Sequence, residues 1–206
     1  MSFSLPVATK TVKISSAPKK TVVYPRVVRM RNQHLQTYIN QIIVYTTQQL
    51  IDQQVGNMPS TVEEMLGEYE IKNNQRQVLS LSLSNYTYHE KAAHGLTIIK
   101  SLTFDLNKGK FCNLKDLFKP GIDYIKTLSS IIQAQIKERD IPILNGFTSI
   151  SPDQEFYMAD KALVIYFQLY DITPYAFGFP MFPISVYEIQ DIIDENGPLG
   201  RMGVNN

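Results

Sequence analysis

The side chains best suited to acid–base, nucleophilic or metal chemistry are His34, His89 and His94, the single Cys112, and the acids Glu63 with Glu64, Asp153 with Glu155, and Asp191 with Asp194 and Glu195. A zinc site needs three or four such ligands converging on one point. The histidines show no short ligand spacing, and only His89 and His94 could approach each other, across a tight loop. One cysteine permits no intramolecular disulfide, no Cys-based zinc site and no CxxC redox pair, so Cys112 reads as a buried thiol. The paired acids sit where helix starts and solvated faces place them, which argues against a two-carboxylate acid–base site. Neither GxGxxG nor GxxxxGK occurs, and GxSxG and HExxH are also missing. The expectation is a chain with no catalytic residues, no resident metal and no cofactor.

The densest unusual stretch is YDITPYAFGFPMFP, Tyr170 to Pro183. Prolines stiffen it, and tyrosine and phenylalanine supply large contact areas with few rotors to freeze. Such a loop suits protein recognition, with Tyr170, Pro174, Tyr175, Phe177 and Gly178 as the candidate contacts. The same residues could instead fold back as a lid over a sheet.

These residues need a scaffold, and hydrophobic periodicity outlines one. Residues 1–21 alternate Val, Thr, Lys and Ile between Pro6 and Pro18, which fits an edge strand or a loose arm but no helix. Asn32 can cap a helix carrying Leu35, Tyr38, Ile39, Ile42, Ile43 and Leu50 at helical spacing until Gly56. Ser60 or Thr61 with Glu63 and Glu64 reads as a bridging turn that Gly67 stops. A hairpin is expected with arms 69–72 and 77–88 about Asn73–Asn74, with a bulge near Asn85 to bring Tyr86 and Tyr88 inward. Residues 96–106 alternate as a half-buried antiparallel strand, and Asn107–Gly109 form the next turn. Leu114, Leu117 and Phe118 make a short helical turn, and Ile122, Ile125, Leu128, Ile132 and Ile136 stripe a second long helix over 121–139. Strands follow at 156–158 and 162–169, then a short helix at 186–193 and a frayed tail from Gly197. The fold class expected is α+β: a mixed, mainly antiparallel sheet with two main helices packed on it, in two intimately joined lobes.

Charge is unevenly distributed. The net charge is +1, yet seven cations, Lys10, Lys13, Lys19, Lys20, Arg26, Arg29 and Arg31, precede the first acid, Asp52, which leaves −6 on the remainder. That balance argues against a dedicated nucleic-acid binder. The basic arm could contact an anionic surface such as teichoic acid or phospholipid. No export signal and no apolar run long enough for a membrane span is legible.

The segments AAHGLTIIKSLTFDLNKGKFCNLKDLF (92–118) and EFYMADKALVIYFQLYDITPYAFGFPMFPIS (155–185) resemble the RsiV-like C-terminal domain, itself a domain of unknown function. The elements that carry this resemblance are the Ala93-His94-Gly95 turn, Asp105, Gly109, Asp116-Leu117-Phe118, Leu163 to Phe167, Tyr170, Pro174-Tyr175-Ala176 and Gly178. His94 thereby joins the candidate contacts. The preceding portion, Tyr24-Pro25 through Asn40 and on to the hairpin, resembles the small domain that commonly precedes that family. The organisation implied is a basic arm (1–21), a small α+β lobe (22–90), the RsiV-like domain (91–195) and a tail (196–206). Where the family carries a glycine-rich turn before Ala-His-Gly, this chain has Glu90-Lys91-Ala92. The resemblance implies an α+β fold and a binding or sensing module of the cell envelope, since such modules form the outer part of a lysozyme-binding anti-sigma factor and also sit beside peptidoglycan deacetylase domains. The partner implied is a protein such as lysozyme, with a cell-wall glycan or peptide fragment as the alternative, and an uncharacterised hydrolase as the enzyme alternative. With no anchor and no sigma-binding segment legible, a complete signalling anti-sigma factor is not expected. Family context points outside the cytoplasm, whereas the missing signal points to a cytoplasmic or spore-associated protein if the chain is complete.

Overall fold

A computed structural model describes residues 5–203. Six strands follow one another across a large sheet: β1 (Ala8–Ala17), β2 (Lys20–Val28), β3 (Val62–Gln75), β4 (Val78–His89), β5 (Leu96–Asp105) and β6 (Lys110–Phe111). All neighbours are antiparallel except β2 and β3, and a parallel pair needs a long crossover, which α1 (Gln33–Val55) supplies. A second antiparallel sheet contains β7 (Phe156–Ala159), β8 (Ala162–Tyr166) and β9 (Met181–Ser185). The remaining helices are α2 (Tyr124–Glu138) and the short α3 (Pro198–Gly203). The fold is α+β with two substantial helices, as the periodicities predict.

The layers run α1, large sheet, small sheet, α2. Leu35, Ile39, Ile43 and Leu50 of α1 cover Leu79, Leu81 and Leu83 of β4 and Leu102 and Phe104 of β5. Asn32 caps that helix by accepting from the Leu35 N–H at 3.0 Å. On the other face of β4, the Ser80 hydroxyl accepts from the Met158 N–H at 3.0 Å, and Val78 joins the core formed by the small sheet and α2. Sandwiching explains why Val78 to Leu83 are buried without alternation and why Thr103 and Asp105 are as buried as Leu102 and Phe104. The half-buried strand expected at 96–106 is therefore covered on both faces toward its end.

Several local expectations are corrected. The hairpin turns at Arg76–Gln77, both in the left-handed region (φ 50° and 58°), three residues later than Asn73–Asn74. Asn74 is a strand residue whose amide accepts from the Val7 N–H at 3.1 Å and donates to the Val7 carbonyl at 2.7 Å. Register shifts fall on the β3–β4 pairing, between Val62 and Glu64 and between Ile71 and Asn73, while β4 passes Asn85 in regular pairing with β5. The turn at Pro59–Thr61 leads directly into β3, so Glu63, Glu64 and Gly67 are strand residues. Residues 186–193 form successive turns, not a helix. Their buried Val186, Ile189 and Ile193 imitate helical spacing, and Ile193 bridges Phe118.

The tail expected from Gly197 carries α3, with Pro198, Leu199 and Met202 buried. Arg201 holds it in place. Its guanidinium donates to the fully buried Asp105 carboxylate at 2.8 Å and to the carbonyls of Arg76 (3.1 Å), Asn196 (3.0 Å) and Gln77 (3.3 Å). The basic arm is the edge hairpin β1–β2; its residues 1–4, and residues 204–206 of the tail, lie outside the described residues. Among the described residues no helix is long and apolar enough to cross a membrane.

Candidate functional site

The aromatic loop is fixed to the edge of β5 where β6 does not reach. There the Gln168 amide imitates a strand, accepting from the Ile99 N–H at 3.1 Å and donating to the Ile99 carbonyl at 2.7 Å. Asp171 closes a turn by accepting from the Gln168 N–H at 2.8 Å. Pro174 begins a single 3-10 turn, Tyr175–Phe177, in which the Phe177 N–H donates to the Pro174 carbonyl at 2.9 Å. Gly178 ends that turn at φ 82°, a conformation that suits glycine, and Tyr170 also lies in the left-handed region at φ 69°. A bulky residue held there stores backbone strain, a recurring mark of functional loops.

This anchoring brings together side chains about eighty positions apart. The His94 ring stacks on Tyr175 with centroids 4.1 Å apart and lies 6.3 Å from Tyr170; the two tyrosine rings are 5.4 Å apart. The hydrogen bonds set the histidine tautomer. Gly95 O is an acceptor only, so His94 Nδ1 donates to it (2.9 Å), and Nε2 then accepts from the Tyr170 hydroxyl (3.0 Å). The second lone pair of Gly95 O accepts from the Tyr175 hydroxyl at 2.9 Å. Both ring nitrogens of His94 are thus engaged within the cluster. What the cluster presents to solvent is ring surface, with Tyr170 50% and Phe177 40% exposed. Beneath it Gly95 lies so close to Tyr86 that a Cβ would sit 2.2 Å from that ring. The turn before His94 takes φ 64° at Lys91, the left-handed conformation for which a glycine-rich turn is built.

Of the six predicted contacts, His94, Tyr170 and Tyr175 meet directly, Pro174 and Gly178 bracket the turn, and Phe177 is an exposed residue of that turn. Sequence reasoning did not single out Gly95, Tyr86 or Gln168. Gly95 stood inside the quoted Ala-His-Gly turn, whereas nothing local marks Gln168 as a mimic of a strand.

The other chemistry-bearing side chains lie elsewhere in the fold. His89 Nε2 donates to the Gln54 carbonyl at 2.8 Å, and its Nδ1 contacts the Thr61 hydroxyl at 2.7 Å, so it ties α1 to the sheet and does not converge with His94. His34 is exposed on the first turn of α1. Burial pushes the Cys112 thiol up to about 11, as suits an inert core residue. Glu155 pairs with Lys100 and accepts from the buried Tyr166 hydroxyl at 3.1 Å; burial and Glu155 hold that phenol well above its usual range. Asp194 pairs with Lys108 at 3.2 Å. Among the described residues no three His, Cys, Asp or Glu side chains are grouped so as to hold a metal ion.

Residues 115–187 match the family described as a protein of unknown function, DUF3298. Two crystal structures from that family share the fold over almost the whole chain. A member from Bacteroides fragilis superposes with a TM-score of 0.70 at 15% identity, covering 97% of this chain and 99% of that one. A member from Pseudomonas aeruginosa gives 0.67 at 14%, covering 98% of each. Over 139 residues the chain is 26% identical to the peptidoglycan-N-acetylmuramic acid deacetylase PdaC of Bacillus subtilis, a stretch that takes in 64% of this chain. The chain spans about 30% of the length of PdaC. These likenesses fix the fold and give a partial link to a protein that acts on peptidoglycan.

Proposed function

We propose that the chain is a non-catalytic binding module of the cell envelope, and that His94, Tyr170, Tyr175 and Phe177 form its docking surface for a protein partner of the lysozyme kind. The observation that carries this reading is the assembly itself: rings from two distant segments are stacked, hydrogen-bonded and still exposed. A partner would find them already ordered, so little rotamer or loop entropy opposes association. Exposed aromatic anchors on a stiff loop are the usual carriers of interface energy. The RsiV-like assignment within the DUF3298 match belongs to this proposal, as does the choice of lysozyme, which comes from the motif resemblance. The partial likeness to PdaC supports an envelope setting. The non-catalytic part rests on the spatial separation of His89, His94 and the buried Cys112, which do not converge on one point among the described residues.

The test is a calorimetric titration of the chain with lysozyme, beside an assay of the purified chain for release of acetate from peptidoglycan. Saturable lysozyme binding without acetate release is expected; acetate release would replace the binding reading with an enzymatic one. The exposed cations Lys10, Lys13, Lys19 and Arg26 make no ion pair among the described residues, and they extend the proposal to an anionic surface. Binding to anionic vesicles should then weaken steeply with salt.

A further inference from the structure

A recess lies where the small sheet leaves the face of the large one; of the stretch Tyr170 to Pro183 it is lined by Met181 and not by the His94–Tyr170–Tyr175 cluster. Its volume is about 380 Å³, and β3 and β4 supply its floor with Glu68, Glu70, Lys72, Ser82 and Ser84, while Tyr157 of β7 walls one side. The register places Glu68 opposite Ser84 and Glu70 opposite Ser82, so these polar side chains form one ladder on one face. The Ser82 and Ser84 hydroxyls make no hydrogen bond within the described residues and open onto the recess, where water or a ligand can reach them. Lys72 is held over the Tyr157 ring, 4.7 Å from its centroid, and is ion-paired with Glu70. The Tyr157 hydroxyl meets only the Met181 sulfur, at 3.6 Å, which is a weak acceptor.

We propose that this cleft binds a neutral saccharide unit. The groups lining it are two serine hydroxyls that both donate and accept, carboxylates that only accept, an ammonium with donors left beyond its pairing with Glu70, and a phenol that can still accept. An anionic ligand meets Glu68 and Glu70, and a cationic one meets Lys72. An apolar ligand strips water from Ser82 and Glu68 and returns nothing. A sugar ring matches all of them: its hydroxyls donate to the carboxylates and accept from the serines and Lys72, while its C–H face lies against Tyr157 and Met181. The volume is at the small end of the range for ligand pockets and fits one or two sugar rings. In the sequence the site is written as the alternation Leu79-Ser80-Leu81-Ser82-Leu83-Ser84, in which the leucines face α1 and the serines face the second sheet and the cleft. This inference does not rest on the aromatic surface.

The test follows backbone amide NMR shifts of the full chain during titration with tri-N-acetylchitotriose and, separately, cellotriose. Saturable shifts at Glu68, Ser82 and Ser84 are expected with at least one of them. Response to both identifies a general sugar site, and response to the first alone identifies an acetamido-sugar site. Ser82→Ala should weaken binding roughly fivefold to tenfold, the effect of one hydrogen bond. Ser84→Leu, which fills the cleft at its more open end, should abolish it, with the spectrum showing both variants folded. Tyr170→Gly should leave saccharide binding unchanged, which separates failure here from failure of the lysozyme reading. No saturable shift with either sugar up to about 10 mM, shifts confined to residues 170–178, or undiminished binding by folded Ser84→Leu would each overturn the proposal.

Discussion

Replacing Arg201 by Met should cost about 3 kcal/mol of folding stability, near the bottom of the 3–5 kcal/mol range for breaking a buried ion pair. The structure sets both ends of that figure. Asp105 is fully buried, so the substitution leaves a carboxylate with no counter-charge, and the carbonyls of Arg76, Gln77 and Asn196 lose a donor. The loss is limited because Asp105 still accepts from the backbone N–H groups of Asn107 (3.0 Å) and Lys108 (3.2 Å), and Met replaces much of the apolar stem. For a chain of this size the corresponding fall in Tm is about 6–12 °C. Urea unfolding followed by fluorescence measures the difference directly. Asp105→Asn in the Arg201→Met background should recover part of the loss by removing the uncompensated charge, so the two substitutions should be coupled by about 1 kcal/mol or more. A cost under about 1 kcal/mol for Arg201→Met, or strict additivity of the pair, would refute the view that this ion pair locks α3 to the sheet.

Three further outcomes are expected. Gly95→Ala should destabilise by about 1–3 kcal/mol, because its Cβ would sit 2.2 Å from the Tyr86 ring; tyrosine fluorescence should report the displaced cluster. Cys112, with its thiol pushed up to about 11, should react with Ellman's reagent at neutral pH only at the rate of global or local opening, and immediately in denaturant. Burial works against ionisation of Asp116, but the Asn113 N–H and Lys110 outweigh it and hold the carboxyl below its usual range. Its contribution is therefore present above the unfolded value near about 4 and lost as pH falls through the lower folded value. In urea titrations the advantage of the parent chain over Asp116→Asn should be level around pH 6 and close toward pH 3, whereas an advantage that grows on acidification would contradict the assignment.

The parts of this fold legible in the sequence are those whose patterns are local. Asn32 with the Leu35–Ile39–Ile43 stripe specifies α1, and the stripe with Leu128 and Ile132 specifies α2, although that helix begins at Tyr124, with Asp123 as its cap. What stayed hidden depends on distant partners. Asn73–Asn74 have turn chemistry, yet Val7 and the carbonyl of Val78 claim their amides, and the turn moves to Arg76–Gln77 at the expense of two left-handed non-glycine residues. The Gly- and Pro-containing tail reads as frayed because Asp105, its anchor, lies almost a hundred residues away. Val186, Ile189 and Ile193 mimic a helix because turns facing one core also bury every third or fourth residue. At the site, the composition of the loop pointed to Tyr170 and Tyr175, and the motif resemblance added His94. Their meeting depends on Gln168 gripping Ile99, a contact with no local signature.

The most direct test of the central claim is lysozyme binding by Tyr170→Gly, measured by calorimetry together with thermal unfolding. At φ 69° glycine removes backbone strain, so Tm should hold or rise even as an exposed ring leaves the surface. If the cluster is the docking surface, the parent chain binds saturably and the variant binds at least about tenfold more weakly with its fold intact. Equal binding by the two proteins, or no binding by the parent chain, would contradict the account.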